Sequence, residues 1–134
     1  MIDFMNEIFN TFAKSVRSAH SGVTVTGEYT RKPSKFPCVT LDETQNVMVD
    51  RLEDSSNEEK YAGLAYRLQV FSNKTNGKKA EARAVFATAD KIMRRLGFRR
   101  ISYTTTPEIY ESTIYSITAN YEAVADVNGV IYKR

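Results

Sequence analysis

Between Tyr61 and Leu96 the apolar positions change period once, from two to an alternation of three and four. Ala62, Leu64, Tyr66, Leu68 and Val70 fall on one side of an extended chain, with Gly63, Arg67 and Gln69 on the other. That is the pattern of a strand with one face toward water. From Ala82 onward, Ala82, Val85, Phe86, Ala89, Ile92, Met93 and Leu96 form an apolar stripe, which predicts a helix over 78–96. Gly97 then supplies the left-handed residue that ends a helix, and Phe98-Arg99-Arg100-Ile101 returns to strand character.

The same reading extends to both sides of this unit. Residues 4–17 predict a helix whose stripe is Met5, Ile8, Phe9, Phe12 and Val16, packed on the sheet. Its polar face, Asn6, Glu7, Asn10, Lys14 and Arg17, is not basic enough for a lipid binder. Ser21-Gly22 breaks that helix, and Val23–Thr26 reads as a short strand. Phe36–Leu41 reads as another, which Pro33 and Pro37 place at a sheet edge or at a strand start. Strand character resumes over 98–105, and Pro107 turns the chain. A long strand follows over 112–127, with Tyr115, Ile117, Ala119, Tyr121 and Ala123 on one face. Asn128-Gly129, between Val127 and Val130-Ile131-Tyr132, is a hairpin signal. The sum is one domain over 1–134 of the α+β class. It has a mostly antiparallel four- to five-stranded sheet, with the 78–96 helix and the N-terminal helix on one face.

A chain of 134 residues suits one domain with one core, and its net charge of +3 does not announce nucleic-acid binding. One cysteine, Cys38, excludes an intramolecular disulfide and fits a reducing compartment. The first twenty residues lack the apolar core and cleavage site of a signal peptide, and no run approaches the roughly 18 apolar residues of a membrane span. The expectation is a protein made in the cytosol, with no membrane partner.

Candidate chemistry is sparse. One histidine, His20, and one cysteine leave no His/Cys metal cluster and little room for a nucleophile–base pair. Glu58-Glu59 diverge on an extended chain, the glycines are scattered singly, and no phosphate loop appears. The expectation is no enzyme, no metal and no cofactor. Charge layout says more. Residues 42–60 hold seven acidic residues against two basic, a net −5, and read as an extended, mobile arm. Residues 74–100 hold nine basic residues against Glu81 and Asp90, a net +7. Such blocks can attract copies of one chain head to tail, or compensate each other within it. Basic clustering also permits unspecific DNA contact, but no helix-turn-helix, RNP or zinc-finger signature supports base reading.

Leu68-Gln69-Val70-Phe71-Ser72-Asn73, then Gly77 with Glu81-Ala82, Ala89-Asp90-Lys91-Ile92-Met93 and Leu96-Gly97-Phe98-Arg99-Arg100, resembles small tail-completion proteins of tailed bacteriophages. Lys35-Phe36-Pro37-Cys38-Val39 and the closing strand around Tyr121 are similar to the same family, so the resemblance spans most of 33–125. It implies a tail terminator: an α+β domain assembling as a ring, commonly a hexamer, on the head-proximal end of the tail tube. That ring would end tube polymerisation and present a docking surface to the head-completion or connector protein. It would be assembled in the bacterial host cytoplasm and kept in the virion neck. In that setting Asp50, Glu53, Asp54, Glu58 and Glu59 are the expected partner contacts. Arg94, Arg95, Arg99 and Arg100 are the expected intersubunit or lumen residues, where they would touch passing DNA without reading it. A head-side connector or stopper of the same neck is the nearest alternative, and an unspecific nucleic-acid-binding module comes third.

Overall fold

In the computed structural model, the described residues are 1–29, 33–48, 61–107 and 113–133. They form α1 (Met5–Ala19), β1 (Thr24–Thr26), β2 (Cys38–Met48), β3 (Tyr61–Ser72), α2 (Lys78–Arg95), β4 (Arg99–Pro107), β5 (Tyr115–Asp126) and β6 (Ile131–Lys133). The strands lie in the order β1-β2-β3-β5-β4, and β6 also pairs with β5. β1 runs parallel to β2, and every other pairing is antiparallel. Both helices cover one face of this sheet, as the apolar periods require, so the fold is α+β as expected.

The core sits between that face and the helices. Ile8, Phe12, Ala13 and Val16 of α1 join Ala82, Val85, Phe86, Ala89, Ile92 and Met93 of α2 against Leu41, Leu64, Tyr66, Leu68, Val70, Ile117, Ala119 and Tyr121. The β5–β6 hairpin forms where Asn128-Gly129 predicts it. The Asp126 carboxylate accepts the backbone N–H of Asn128 and of Val130, and Gly129 takes the positive φ of 84° that a tight turn needs.

One expectation needs correction. The connection expected over 42–60 is shorter, because Asp42–Met48 continues β2 and pairs with β3 from Asp42 opposite Arg67 to Met48 opposite Ala62. A polar run hides this strand: its charge is met across the ladder, where Arg67 donates to Asp42 at 2.8 Å. A register shift between Glu43 and Gln45 also breaks the alternation. The remainder of that connection lies outside the described residues. Pro37 stands immediately before β2, at a strand start as expected, and β1 pairs outside β2 from Cys38 to Thr40.

The helix-free face is not simply wet. Cys38, Phe71 and Ile114 form a small second cluster there, with Phe36 against it. Thr40 is fully buried and donates to the Gln69 side chain at 2.8 Å. Next to them, the Arg67 guanidinium stacks over the Tyr29 ring, 4.2 Å from its centroid.

Candidate assembly surface

The four arginines singled out in the sequence lie on either side of one tight reversal. After α2 the Phe98 N–H donates to the Met93 carbonyl at 3.0 Å and the Gly97 N–H to the Arg94 carbonyl at 3.1 Å. Gly97 carries a φ of 101°, and a Cβ there would sit 2.9 Å from Ile131 Cγ2. The turn therefore has no room for a side chain, because β6 closes over it. Its effect is to fold Arg99 and Arg100, at the start of β4, back toward Arg94 at the end of α2. Arg94, Phe98, Arg99 and Arg100 line one recess of about 200 Å³, while Arg95 lies outside that lining. All four arginines are exposed.

They are not equivalent. Arg100 donates to Asp90 Oδ1 at 2.9 Å, and the Tyr121 hydroxyl donates to the same oxygen at 2.7 Å. Asp90 is only 8% exposed and Tyr121 is fully buried. This buried carboxylate fixes the guanidinium at the rim, a charge-assisted contact that a solvated arginine lacks. Burial, and then the hydrogen bond to Asp90, push the Tyr121 phenol well above its ordinary range. Arg99 is the ladder partner of Glu122 on the opposite face of the sheet. The signal for this tie was present in the sequence. Asp90 stands four residues from Phe86 and three from Met93, on the border of the stripe, where a carboxylate needs partners to be buried.

A second polar group lies in the same transverse row. Glu43 pairs with Tyr66, Tyr66 with Tyr121, and Tyr121 with Arg100, one residue from each of four strands. Glu43, Asn46 and Tyr66 each keep a buried oxygen without a hydrogen-bond partner, although the Asn46 amide donates to the Ile2 carbonyl at 2.7 Å. The Tyr66 hydroxyl faces Glu43 without closing a bond. Burial, opposed in part by the nearby Tyr66 hydroxyl and reinforced by the charge of Asp3, raises the Glu43 carboxyl above the usual carboxylate range. Burial together with Glu43 raises the Tyr66 phenol strongly. Sequence reading placed Glu43 in a solvated arm and missed this pair.

The other candidates have structural surroundings. His20 ends α1 and its Nε2 lies 2.8 Å from the Thr88 hydroxyl, tying the two helices together. Cys38 is 2% exposed, and burial pushes its thiol up, away from reactivity. Among the described residues no group of three or more His, Cys, Asp or Glu could hold a metal ion. No described helix is long and apolar enough to cross a membrane. Asp50, Glu53, Asp54, Glu58 and Glu59 lie outside the described residues, so the structure places none of the expected partner contacts.

The sheet's two sides complete the surface. Every described side chain of β4 from Arg99 to Thr105 is exposed, with Ile101 at 47% and Tyr103 at 43%. Besides its pairing with β5, this strand is tied to α2 by the Tyr103 ring, edge-on to Phe86 at 5.1 Å, and by the Arg100–Asp90 pair. No family model matches the chain, and no curated protein matches it.

Proposed function

We propose that this chain is a structural subunit of a tailed phage. It forms a homo-oligomeric ring, in the family's manner a hexamer, on the head-proximal end of the tail tube. The ring ends tube polymerisation and offers the head-completion protein a surface. The observation that carries this reading is the continuity of the residues behind the resemblance. From Leu68 to Arg100 they form one unit of β3, α2, the Gly97 reversal and the start of β4, which ends at an exposed, basic sheet edge. A cap must match the tube on one side and reject another tube subunit on the other. A small domain with a rigid helix layer and an open sheet edge is suited to that work.

Chemistry on this reading is contact, not turnover. Arg94, Arg95 and Arg99 supply exposed positive charge, and Arg100 a fixed guanidinium, for a neighbouring subunit or for DNA passing through the lumen. Guanidinium forks suit carboxylates and phosphates alike. The test is the solution mass by light scattering over a concentration series, first alone and then with short tail tubes. A ring, or a monomer that becomes ring-sized on tubes, is the expected result. A monomer indifferent to tubes but captured by portal-side protein would move the function to a head-side connector. A monomer whose main property is salt-sensitive DNA affinity would make it a nucleic-acid-binding module.

A further inference from the structure

The sheet is unfinished on both sides at the same height. β1 reaches only Thr40, so among the described residues no strand pairs with the outer edge of β2 from Asp42 to Met48. On the far side β4 is the last strand among the described residues, and β6 lies along the same side of β5 just past its start. The transverse rows link these two borders. Asp42 stands level with Ser102, Glu43 with Arg100, Gln45 with Arg99, and Met48 with Ile131.

We propose that these two borders are complementary halves of one interface between copies of this chain, β2 of one copy pairing antiparallel with β4 of the next. The proposal rests on the ring reading and specifies its joint. Three observations support the second copy as the occupant. First, three successive antiparallel pairings make β2 and β4 run in opposite directions. A copy set alongside, helices on the same side, therefore meets β4 as an ordinary antiparallel neighbour. Second, such a copy brings Arg99 and Arg100 beside Asp42, Glu43 and Gln45, basic against acidic and polar. It also sets Val47 and Met48, exposed at 46% and 44%, level with β6, beside which Val130 is exposed at 47%. Third, each border carries one register shift, between Glu43 and Gln45 in β2 and between Arg100 and Ser102 in β4. Both adjoin the Tyr66–Tyr121 row, the β2 shift on its Ala65–Glu122 side and the β4 shift on its Arg67–Asn120 side, so the two bends are staggered by about one residue step.

An edge with bulges and arginines is also how a sheet discourages pairing with strangers. Here those devices select the partner instead, because only a border with its own bend and opposite charge fits. The contact uses two different patches, so it repeats head to tail, and sheet twist gives each step the rotation that closes a ring.

Cross-linking tests this in a Cys38→Ala background, with Gln45→Cys in one variant and Ser102→Cys in another, both positions being exposed. Under a short bismaleimide, each variant alone should stay monomeric on a denaturing gel, while their equal mixture gives a covalent dimer. The double variant should give a ladder that stops at the ring number. Thermal unfolding checks each fold, and Thr44→Cys with Ile101→Cys, both exposed and beside the same row, serves as a second pair if either variant is misfolded. A dimer from one variant alone would overturn the proposal in favour of a symmetric contact. No mixed dimer from a protein whose light scattering still reports a ring would overturn the joint and leave the ring standing. No dimer and a monomer mass, with and without tail tubes, would remove both.

Discussion

Tyr66 and Tyr121 are ladder partners with no exposed surface, yet their hydroxyls are in opposite situations. Tyr121 donates to the buried Asp90, whereas Tyr66 has a buried hydroxyl with no partner. Removing a hydroxyl that serves a buried carboxylate should cost about 1–3 kcal/mol, and removing an unmatched one should cost little. Tyr121→Phe is therefore expected to lower the urea midpoint clearly while Tyr66→Phe leaves it unchanged or raises it. Equal losses in the two variants would refute the assignment. Glu43, beside Tyr66, makes a pH prediction. Its folded carboxyl titrates above the ordinary range, so as pH rises the unfolded chain releases its proton first. The stability from protonated Glu43 is complete below the ordinary glutamate value and is lost as pH rises through the raised one. Glu43→Gln lacks that step, so its advantage over the parent should grow with pH across this window and then level off. An advantage that is the same at every pH would show that Glu43 titrates normally.

At the scale of elements, what the sequence made legible was set by how cleanly one force governed each stretch. The α2 stripe was readable because burial alone sorts its faces: Phe86, 7% exposed, meets Tyr103 edge-on above the sheet. Phe86→Ala is expected to lose about 3–5 kcal/mol, and an unchanged midpoint would contradict the packing described here. The Gly97 reversal was legible too, although not the reason that it tolerates only glycine. With a φ of 101° and Ile131 at 2.9 Å from a would-be Cβ, Gly97→Ala should cost about 1–3 kcal/mol from backbone strain, plus whatever displacing β6 adds. Loss of the Ile131 amide's protection from hydrogen exchange in that variant would locate the damage. The distal half of β2 was not legible. Asp42-Glu43-Thr44-Gln45 has none of the apolar alternation that marks a strand; backbone pairing, the Arg67 contact and one register shift hold it in the sheet instead. Those are long-range causes, and a window of neighbouring residues does not contain them.

For the whole molecule, charge is the property on which composition misleads and layout informs. A net +3 hides a −5 stretch over 42–60 and a +7 stretch over 74–100. Folding redistributes both. Asp42 is matched by Arg67 from outside its block, while Arg100 is tied to Asp90 within its own. Arg94, Arg95, Arg99 and Arg100 all stay exposed beside the β4 border. The candidate site was thus half legible: residue types gave the arginine cluster, but the pairing that singles out Arg100 depends on Asp90 being brought under it by the Gly97 turn. The acidic residues beyond β2 carry the complementary prediction. If assembly draws on attraction between the two blocks, replacing Glu53, Asp54, Glu58 and Glu59 by their amides should leave monomer stability within about 0.5 kcal/mol, as surface changes usually do. It should also raise the concentration at which rings form, and make ring formation less sensitive to salt, because the screened attraction would already be gone. Unfolding of that variant would mean that these acids are part of the core. Unchanged assembly at low salt would mean that the acidic block compensates basic charge within its own subunit, leaving the sheet borders to carry the joint without it.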